Sequence, residues 1–315
     1  MKILFLTSRF PYPLEKGDKL RAFYQIVELS KKHQVILAAV SDELVLPEHI
    51  EKLKPYCRRI LIHNISKAKQ IQNLARALVN GKPFQVEYFF SKEFKKKIQK
   101  IITEDKPDAV FCQLVRMAEY VRDEKQISKT LDYQDAFSKG YERQAQRENI
   151  FKKIPVMMEW KRMLKYEGQI FNDFNNKIII SEQDRDLISH PDRSKIEVIP
   201  NGVDFNYYSP QQKEKKYDLI FSGNMNYPPN IESAHYIVEK IMPLLLGIVP
   251  GGYIKDPGLD EQSREAHRWV INHMELKSLG KWCEDRNWKV GDDTDRGMRL
   301  LLGKIADDFN RALKH

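Results

Sequence analysis

The chain has 315 residues, which is enough for two domains that each bury a core of their own. Hydrophobic residues make up 42% and charged residues 31%, a balance typical of soluble globular proteins that excludes a disordered chain, and no apolar run has the length of a spanning helix. The net charge of +9 favours an anionic partner, and residues 248 to 315 contribute none of it because their 12 basic and 12 acidic residues cancel.

Apolar runs of strand length alternate with helical patterns through the first 200 residues. The run Lys2 to Thr7 is followed by a loop with two prolines and Gly17, and then by a helical pattern from Leu20 to Leu29. Such alternation predicts βαβ units and a parallel sheet covered on both faces. Further strands are predicted at Gln34 to Val40, Arg59 to His63, Asp108 to Cys112, Thr130 to Tyr133, Lys177 to Ser181 and Lys195 to Ile199.

A second Rossmann-like unit is predicted to begin after a break. Pro200-Asn-Gly ends the strand pattern, and the polar stretch to Lys216 predicts a linker at 204–216 after a first domain at 1–203. Tyr217 to Phe221 then has a strand pattern, and Ile231 to Leu246 a helical one. Residues 217–247 are therefore predicted to start a second domain, and 248–315 to form a divergent tail, mainly helical, without a convincing buried strand after residue 254.

Three segments in order resemble one protein family. KILFLTSRFPYPLEKGD at 2–18, IEVIPNGVDFNYYSP at 196–210 and DLIFSGNMNYPPNIESAHYIVEKIMP at 218–243 together resemble family 4 retaining glycosyltransferases, in particular the sugar transferases of exosortase and exopolysaccharide systems. The resemblance covers residues 1–247 and implies the two-domain GT-B fold, with an incomplete or atypical second domain here. It also implies a nucleotide-sugar donor and a glycan or lipid-linked acceptor, with no further cofactor and no metal.

The loop after the first predicted strand would line the cleft between donor and acceptor in such a family. Gly17 lacks a Cβ, so backbone N–H groups there can approach a substrate oxyanion; the alternative is a plain turn glycine. Arg9 is a candidate partner for a phosphate or carboxylate, and the alternative is an ordinary exposed arginine.

Two acidic residues follow the predicted strand at Thr130 to Tyr133. Asp132 and Asp135 would lie at its carboxyl end, where open α/β sheets bind ligands, and they are the candidate catalytic residues. The alternative for Asp135 is a helix N-cap. Gln134 occupies the position where many members of the resembled family have a histidine near the donor sugar, so it is a candidate substrate contact.

Two glycine-containing turns match the family motifs further along. Asn201, Gly202 and Asp204 match the turn that positions the two domains. Ser222 and Gly223 match the first turn of the donor domain, where the main chain can approach a nucleotide diphosphate; an ordinary strand-to-helix turn is the alternative. The donor-binding Arg, Lys and Glu-x7-Glu of the family have no recognisable counterpart.

The remaining features concern compartment and partners. The absence of a signal-peptide pattern predicts a cytoplasmic protein, and the spacing of Cys57, Cys112 and Cys283 predicts reduced thiols. Two basic amphipathic stretches, Lys92 to Ile102 and Phe151 to Phe171, fit either an anionic membrane surface or ordinary packed helices. An unfinished second sheet would favour self-association.

Three functions stay open at this point. The first is sugar transfer from a nucleotide-sugar with retention. The second is a non-catalytic, truncated or fused glycosyltransferase that lacks a donor site. The third, nucleic-acid binding, follows only from the sequence pI of about 9.2 and has no supporting motif, so no nucleic-acid partner is expected.

Overall fold

The structure, a computed structural model, describes residues 1–203, 221, 223, 225 and 228–242. Its backbone contacts divide the chain into two compact units, 1–208 and 209–315. The division falls inside the predicted linker 204–216, whose residues lie outside the described part, as do residues 217–220 of the next predicted strand and the predicted tail 248–315. The domain limits therefore stay a prediction.

The first unit is built on one parallel sheet of seven strands in the order β3-β2-β1-β4-β5-β6-β7. Strands β1 and β2 are apolar and almost wholly buried because helices cover both faces of the sheet. The α/β class predicted from the sequence is confirmed. The strands are β1 Lys2–Thr7, β2 Gln34–Ser41, β3 Cys57–Asn64, β4 Ala109–Gln113, β5 Ser128–Asp132, β6 Asn176–Ile179 and β7 Glu197–Val198.

The helices lie between the strands and are joined to short 3-10 turns. They are α1 Gly17–Ser30, α2 Pro47–Leu53, α3 Lys67–Asn80, α4 Phe84–Tyr88, α5 Lys92–Asp105, α6 Phe137–Arg147, α7 Ile150–Gln169, α8 Glu182–Leu187 and, in the second unit, α9 Pro228–Tyr236. The 3-10 turns are Lys54–Tyr56, Val115–Tyr120, Ile170–Asp173 and Arg193–Lys195, and one π-helical turn, Ile237–Ile241, continues α9. The helix predicted from Ile231 is thus confirmed as far as the structure describes it.

Each face of the sheet has its own core because side chains alternate along a strand. Phe5 of β1 packs with Ile26 of α1 and Leu53 of α2 on one face, and its ring stacks on Phe111 at 4.7 Å between centroids. Leu4 and Leu6 point to the other face, into the larger core formed with α5 to α7. The two cores therefore hold α1 and α7 on opposite faces of the sheet.

No helix in the described part of the chain is long and apolar enough to cross a membrane. The two cysteines that the structure describes are free: Cys112 is buried and Cys57 half-buried. Desolvation raises the pKa of the Cys57 thiol to about 12 and that of Cys112 still further. Both are therefore unreactive thiols, as expected from their spacing, and Cys283 lies outside the described residues.

Candidate functional site

The strand order of the sheet reverses between β1 and β4. From β1 the chain passes to β2 and β3 on one side, while β4 to β7 build the other side, so the loops that follow β1 and β4 diverge. In open α/β sheets such a switch point forms the crevice in which ligands bind, outside the carboxyl ends of the strands. The candidate residues after β1, β4 and β5 all lie at this edge.

Asp132, the last residue of β5, is fully buried. Its Oδ2 accepts hydrogen bonds from Arg21 Nε and Gln25 Nε2, both at 2.8 Å, and its Oδ1 accepts one from the backbone N–H of Gln134 at 3.0 Å. Both carboxylate oxygens are thus used inside the protein. Asp132 holds α1 and the loop after β5, and its predicted catalytic role stays a prediction.

Arg21 extends this contact to the segment after β7. Its Nη1 donates to Asn201 Oδ1 at 2.9 Å, and its Nη2 donates to the carbonyl of Ile199 at 3.0 Å. One buried guanidinium therefore connects α1, β5 and the end of the first unit. Arg21 was not among the predicted site residues, although its position as a basic residue on the buried face of α1 is a signal that could have found it.

The loop after β5 has a fixed, unusual backbone. Gln134 adopts a left-handed conformation with φ of 62°, uncommon for a residue that is not glycine, and its carbonyl accepts a hydrogen bond from Ile180 N at 3.0 Å. The backbone N–H of Asp135 donates to the Tyr133 carbonyl at 2.9 Å. Held backbone strain of this kind is frequent at functional sites.

Asp135 directly precedes α6 but does not cap it. The N-cap of α6 is Ala136 and receives no side-chain cap, so the N-cap alternative for Asp135 is wrong. The side chain of Asp135 is exposed, yet the surrounding protein desolvates it and, with Asp184, raises its pKa to about 6 in spite of Arg116. A carboxyl group with a pKa close to neutrality can gain and lose a proton at physiological pH.

Arg116 follows β4 and was missed by the sequence analysis. Leu114, with φ of 66°, turns the chain into the 3-10 turn that carries Arg116, and the guanidinium carbon lies 4.9 Å from the ring centroids of both Phe89 and Phe137. Burial, reinforced by the nearby charge of Arg9, lowers the pKa of Arg116 to about 10. At neutral pH the group is still a cation.

The loop after β1 brings Arg9 to the same edge. Arg9 Nη1 donates to Asp18 Oδ2 at 2.6 Å, so Arg9 is paired and only a quarter exposed, unlike the ordinary surface arginine of the alternative. Gly17 is the first residue of α1, and a Cβ added there would meet no atom within 4 Å. The space beside Gly17 is open, and its predicted approach to a substrate stays a prediction.

Glu167 of α7 is a second carboxylate that the sequence analysis missed. It is fully buried, its Oε1 accepts from Ser138 N at 3.2 Å, and its Oε2 has no partner among the described residues. Burial raises its pKa to about 7, and the charge of Asp135 adds to the increase. No local pattern in α7 singles it out, because its burial is decided by tertiary contacts.

The remaining candidates lie at the end of the first unit and in the second unit. Asn201 binds Arg21 as described above, and Gly202 has open space where a Cβ would lie. Asp204 and Ser222 lie outside the described residues. At Gly223 a Cβ would come within 2.9 Å of Asn230 Nδ2, so a larger residue would displace that side chain. The predicted interdomain and donor-binding roles of these residues stay predictions.

A small cavity of about 40 Å³ opens on the far side of Arg9, between the loops after β1 and β2. Tyr12, Lys19, Glu43 and His49 contribute to its walls. A space of this size holds one or two water molecules and is too small for a sugar.

The chain was compared with known proteins. No family model matches it. No curated protein matches its sequence. Among solved structures it is similar to a protein of Listeria monocytogenes assigned as a UDP-N-acetylglucosamine 2-epimerase, with 11% identity and a TM-score of 0.37 over 62% of this chain and 44% of that chain.

It is also similar to a UDP-glucosyltransferase of Polygonum tinctorium that glucosylates indoxyl, solved in complex with 3,4-dichloroaniline. The identity is 9% and the TM-score 0.39, over 64% of this chain and 52% of that chain. The chain therefore spans about half the length of these two proteins. At such low TM-scores neither similarity assigns a function to this chain.

Proposed function

We propose that this protein transfers a sugar from a nucleotide-sugar to a glycan or lipid-linked acceptor, with retention at the anomeric carbon, as in the family 4 glycosyltransferases of GT-B fold that its motifs resemble. The observation that carries the proposal is the reversal of strand order between β1 and β4. The loops at this switch point carry a carboxyl group with a pKa of about 6 and a guanidinium without an acidic partner among the described residues.

In this proposal Asp135 contacts the acceptor. The acceptor hydroxyl oxygen forms a bond to the anomeric carbon, while the bond from that carbon to the diphosphate oxygen breaks and its electron pair leaves on the diphosphate. Asp135, which is mostly ionised at neutral pH with its pKa of about 6, accepts the proton that the hydroxyl loses. In the same proposal Asp132 acts as a positioning residue, because its bonds from Arg21 and Gln25 hold α1 against the end of β5.

Calorimetry with UDP, GDP and their sugars tests the donor part of this proposal. We expect the full chain to bind one of the two diphosphates with a Kd in the micromolar range. The exposed Asp123, which pairs with Lys95 at 2.9 Å, provides a control, and Asp123→Asn is expected to bind as the wild type does. The absence of binding at about 1 mM diphosphate would favour the second candidate, a remnant without a donor site.

The start of α7 is proposed as a contact for an anionic membrane surface, which suits a lipid-linked acceptor. Ile150, Phe151 and Ile154 expose 71%, 86% and 64% of their surface, and the exposed Lys152 and Lys153 lie between them. Apolar side chains flanked by lysines fit the interface of an anionic bilayer. We expect Phe151→Ser to reduce co-sedimentation with phosphatidylglycerol vesicles, whereas Leu44→Ser, at another exposed site, leaves it unchanged. Equal sedimentation of both variants would contradict this contact.

A further inference from the structure

Arg116 has no acidic or carbonyl partner in the part of the chain that the structure describes. Its Nε and Nη1 atoms are shielded from solvent and make no hydrogen bond there. Its close neighbours are instead the aromatic rings of Phe89 and Phe137. Rings stabilise the positive charge in part, but they supply no hydrogen-bond acceptor for the N–H groups.

Arg116 is half-buried as a whole, but its Nε–H and Nη1–H groups have lost water without gaining an acceptor, which is unfavourable. Asp135 influences Arg116 electrostatically, but the two form no ion pair within the described residues. Asp18, the next acidic neighbour, is already bonded to Arg9. The arrangement therefore favours an acceptor that comes from outside the first unit.

Other buried donors without partners lie at the end of β1 and in the loop that follows it. The Nε atom of Arg9 is buried without an acceptor, and its guanidinium carbon lies 5.9 Å from the centroid of the Phe89 ring that Arg116 also contacts. The hydroxyls of Thr7 and Ser8, at the end of β1, are likewise buried without partners among the described residues. A group of N–H and O–H donors at a switch point suits a ligand group that only accepts hydrogen bonds.

We infer that Arg116, assisted by Arg9, binds a substrate oxyanion, a phosphate or carboxylate group, in the crevice between the ends of β1 and β4. The inference rests on the proposed function in that it takes this crevice to be a substrate site. The oxyanion belongs either to the diphosphate of the donor or to a charged group of the acceptor, such as a sugar phosphate or a uronate. The two guanidinium groups would neutralise and orient that group beside Asp135.

The test measures binding directly and does not need turnover. The full-length wild type and the variants Arg116→Met, Arg116→Lys and Arg58→Met are titrated with inorganic pyrophosphate, inorganic phosphate and glucuronate at constant ionic strength. Arg58 is a matched control because it is exposed near the start of β3, at the opposite edge of the sheet, and bonds only Gln34 among the described residues. Thermal unfolding is followed for each protein with and without the anion.

We expect at least one of these anions to bind and to raise the Tm of the wild type, since a ligand that binds only the folded state stabilises it. Arg116→Met is expected to weaken that binding roughly 10- to 100-fold, which corresponds to the loss of a charged hydrogen bond. Arg116→Lys should retain part of the affinity, and Arg58→Met all of it. Without anion, Arg116→Met should unfold at the same temperature as the wild type or a higher one, because it removes an unpaired charge.

The source of the oxyanion follows from a repeat of the titrations in saturating UDP. If glucuronate or phosphate still binds, the site takes a charged group of the acceptor, and if binding is abolished, the site takes the donor diphosphate. In both cases the inference requires that Arg116→Met binds the anion more weakly than the wild type does. Equal anion affinity of the wild type and Arg116→Met, or a large loss of stability in Arg116→Met without anion, would overturn the inference. Because turnover is not measured, anion binding without any sugar transfer would overturn only the proposed function.

Discussion

The two edges of the parallel sheet satisfy their polar groups in different ways. At the amino edge, Lys2 N donates to Asp108 Oδ2 at 2.6 Å, Arg59 pairs with Asp105 at 2.5 Å, and Lys129 Nζ donates to the carbonyl of Arg122 at 2.8 Å. At the carboxyl edge, Arg116 and the hydroxyls of Thr7 and Ser8 have no partner in the described chain.

Two carboxyl groups with raised pKa values, Asp135 and Glu167, lie near the carboxyl edge. Of the three non-glycine residues with positive φ in the described chain, Leu114 and Gln134 lie in loops at that edge, and Lys106 precedes β4 at the amino edge. A fold gains stability where charges are paired and loses it where they are kept unpaired for a ligand. The comparison therefore assigns the unpaired groups of the carboxyl edge to function, whereas paired charges at either edge serve the fold, and the predictions below test that assignment.

The largest expected effect is on sugar transfer. Asp135→Asn should reduce the rate of nucleoside diphosphate release from the donor by roughly 10²- to 10⁴-fold, because the amide cannot accept the proton. The wild-type rate should rise with pH through about 6, where Asp135 ionises, and this acidic limb should disappear in Asp135→Asn. Asp123→Asn should keep both the wild-type rate and its increase with pH on the acidic side. Rates of Asp135→Asn equal to those of the wild type would place the chemistry elsewhere.

The second largest effect is expected for the buried ion pair of Arg21 and Asp132 at the carboxyl edge. Arg21→Met leaves Asp132 as a buried carboxylate without its cation, so we expect the free energy of unfolding to fall by about 3–5 kcal/mol. Urea unfolding measures it. The double variant Arg21→Met/Asp132→Asn should recover part of the loss, because no unpaired charge is left; no recovery would show that the pair is not the cause.

Glu167→Gln should instead increase the free energy of unfolding. The pKa of Glu167 is raised to about 7 from 4.5, so ionising this group costs the folded state stability as pH rises between these values. At pH 8 the glutamine should therefore increase the free energy of unfolding by about 1–2 kcal/mol, after allowance for its partly unbonded amide. Below pH 4.5, where the wild-type carboxyl is neutral in both states, the gain should vanish. A gain independent of pH would contradict the raised pKa.

The smallest effect is expected at the amino edge. Arg59 is 43% exposed and pairs with Asp105 at the surface, so Arg59→Met should lower the free energy of unfolding by less than about 1 kcal/mol. It should leave anion binding and sugar transfer unchanged. A loss of transfer in this variant would break the division between the two edges of the sheet.

Most of the sheet could be predicted from the sequence, since buried parallel strands are continuous apolar runs. β1 was predicted to the residue, and β2, β4 and β5 within two residues at each end. The edge strands agree within two residues as well. Only Glu197–Val198 pairs in β7, which is shorter than predicted, and β3 begins at Cys57, two residues before the predicted start, because the exposed Arg58 interrupts the apolar pattern.

The site could be predicted only in part. Asp132 and Asp135 were found because they directly follow an apolar run, whereas Arg116 lies in a 3-10 turn after β4 and gives no periodic signal. Its importance depends on the strand order, which puts β1 beside β4, and no local pattern contains that order. Glu167 was hidden because the tertiary contacts, rather than the helical pattern of α7, decide that it is buried.

A crystal structure of the full chain with a bound nucleotide-sugar or its diphosphate tests the central claim most directly. We predict that an oxyanion of the substrate lies within about 3 Å of the guanidinium of Arg116, with the carboxyl group of Asp135 facing the sugar or acceptor. A substrate bound away from the carboxyl ends of β1 and β4, or an Arg116 whose N–H groups bond to residues between 243 and 315, would contradict the account.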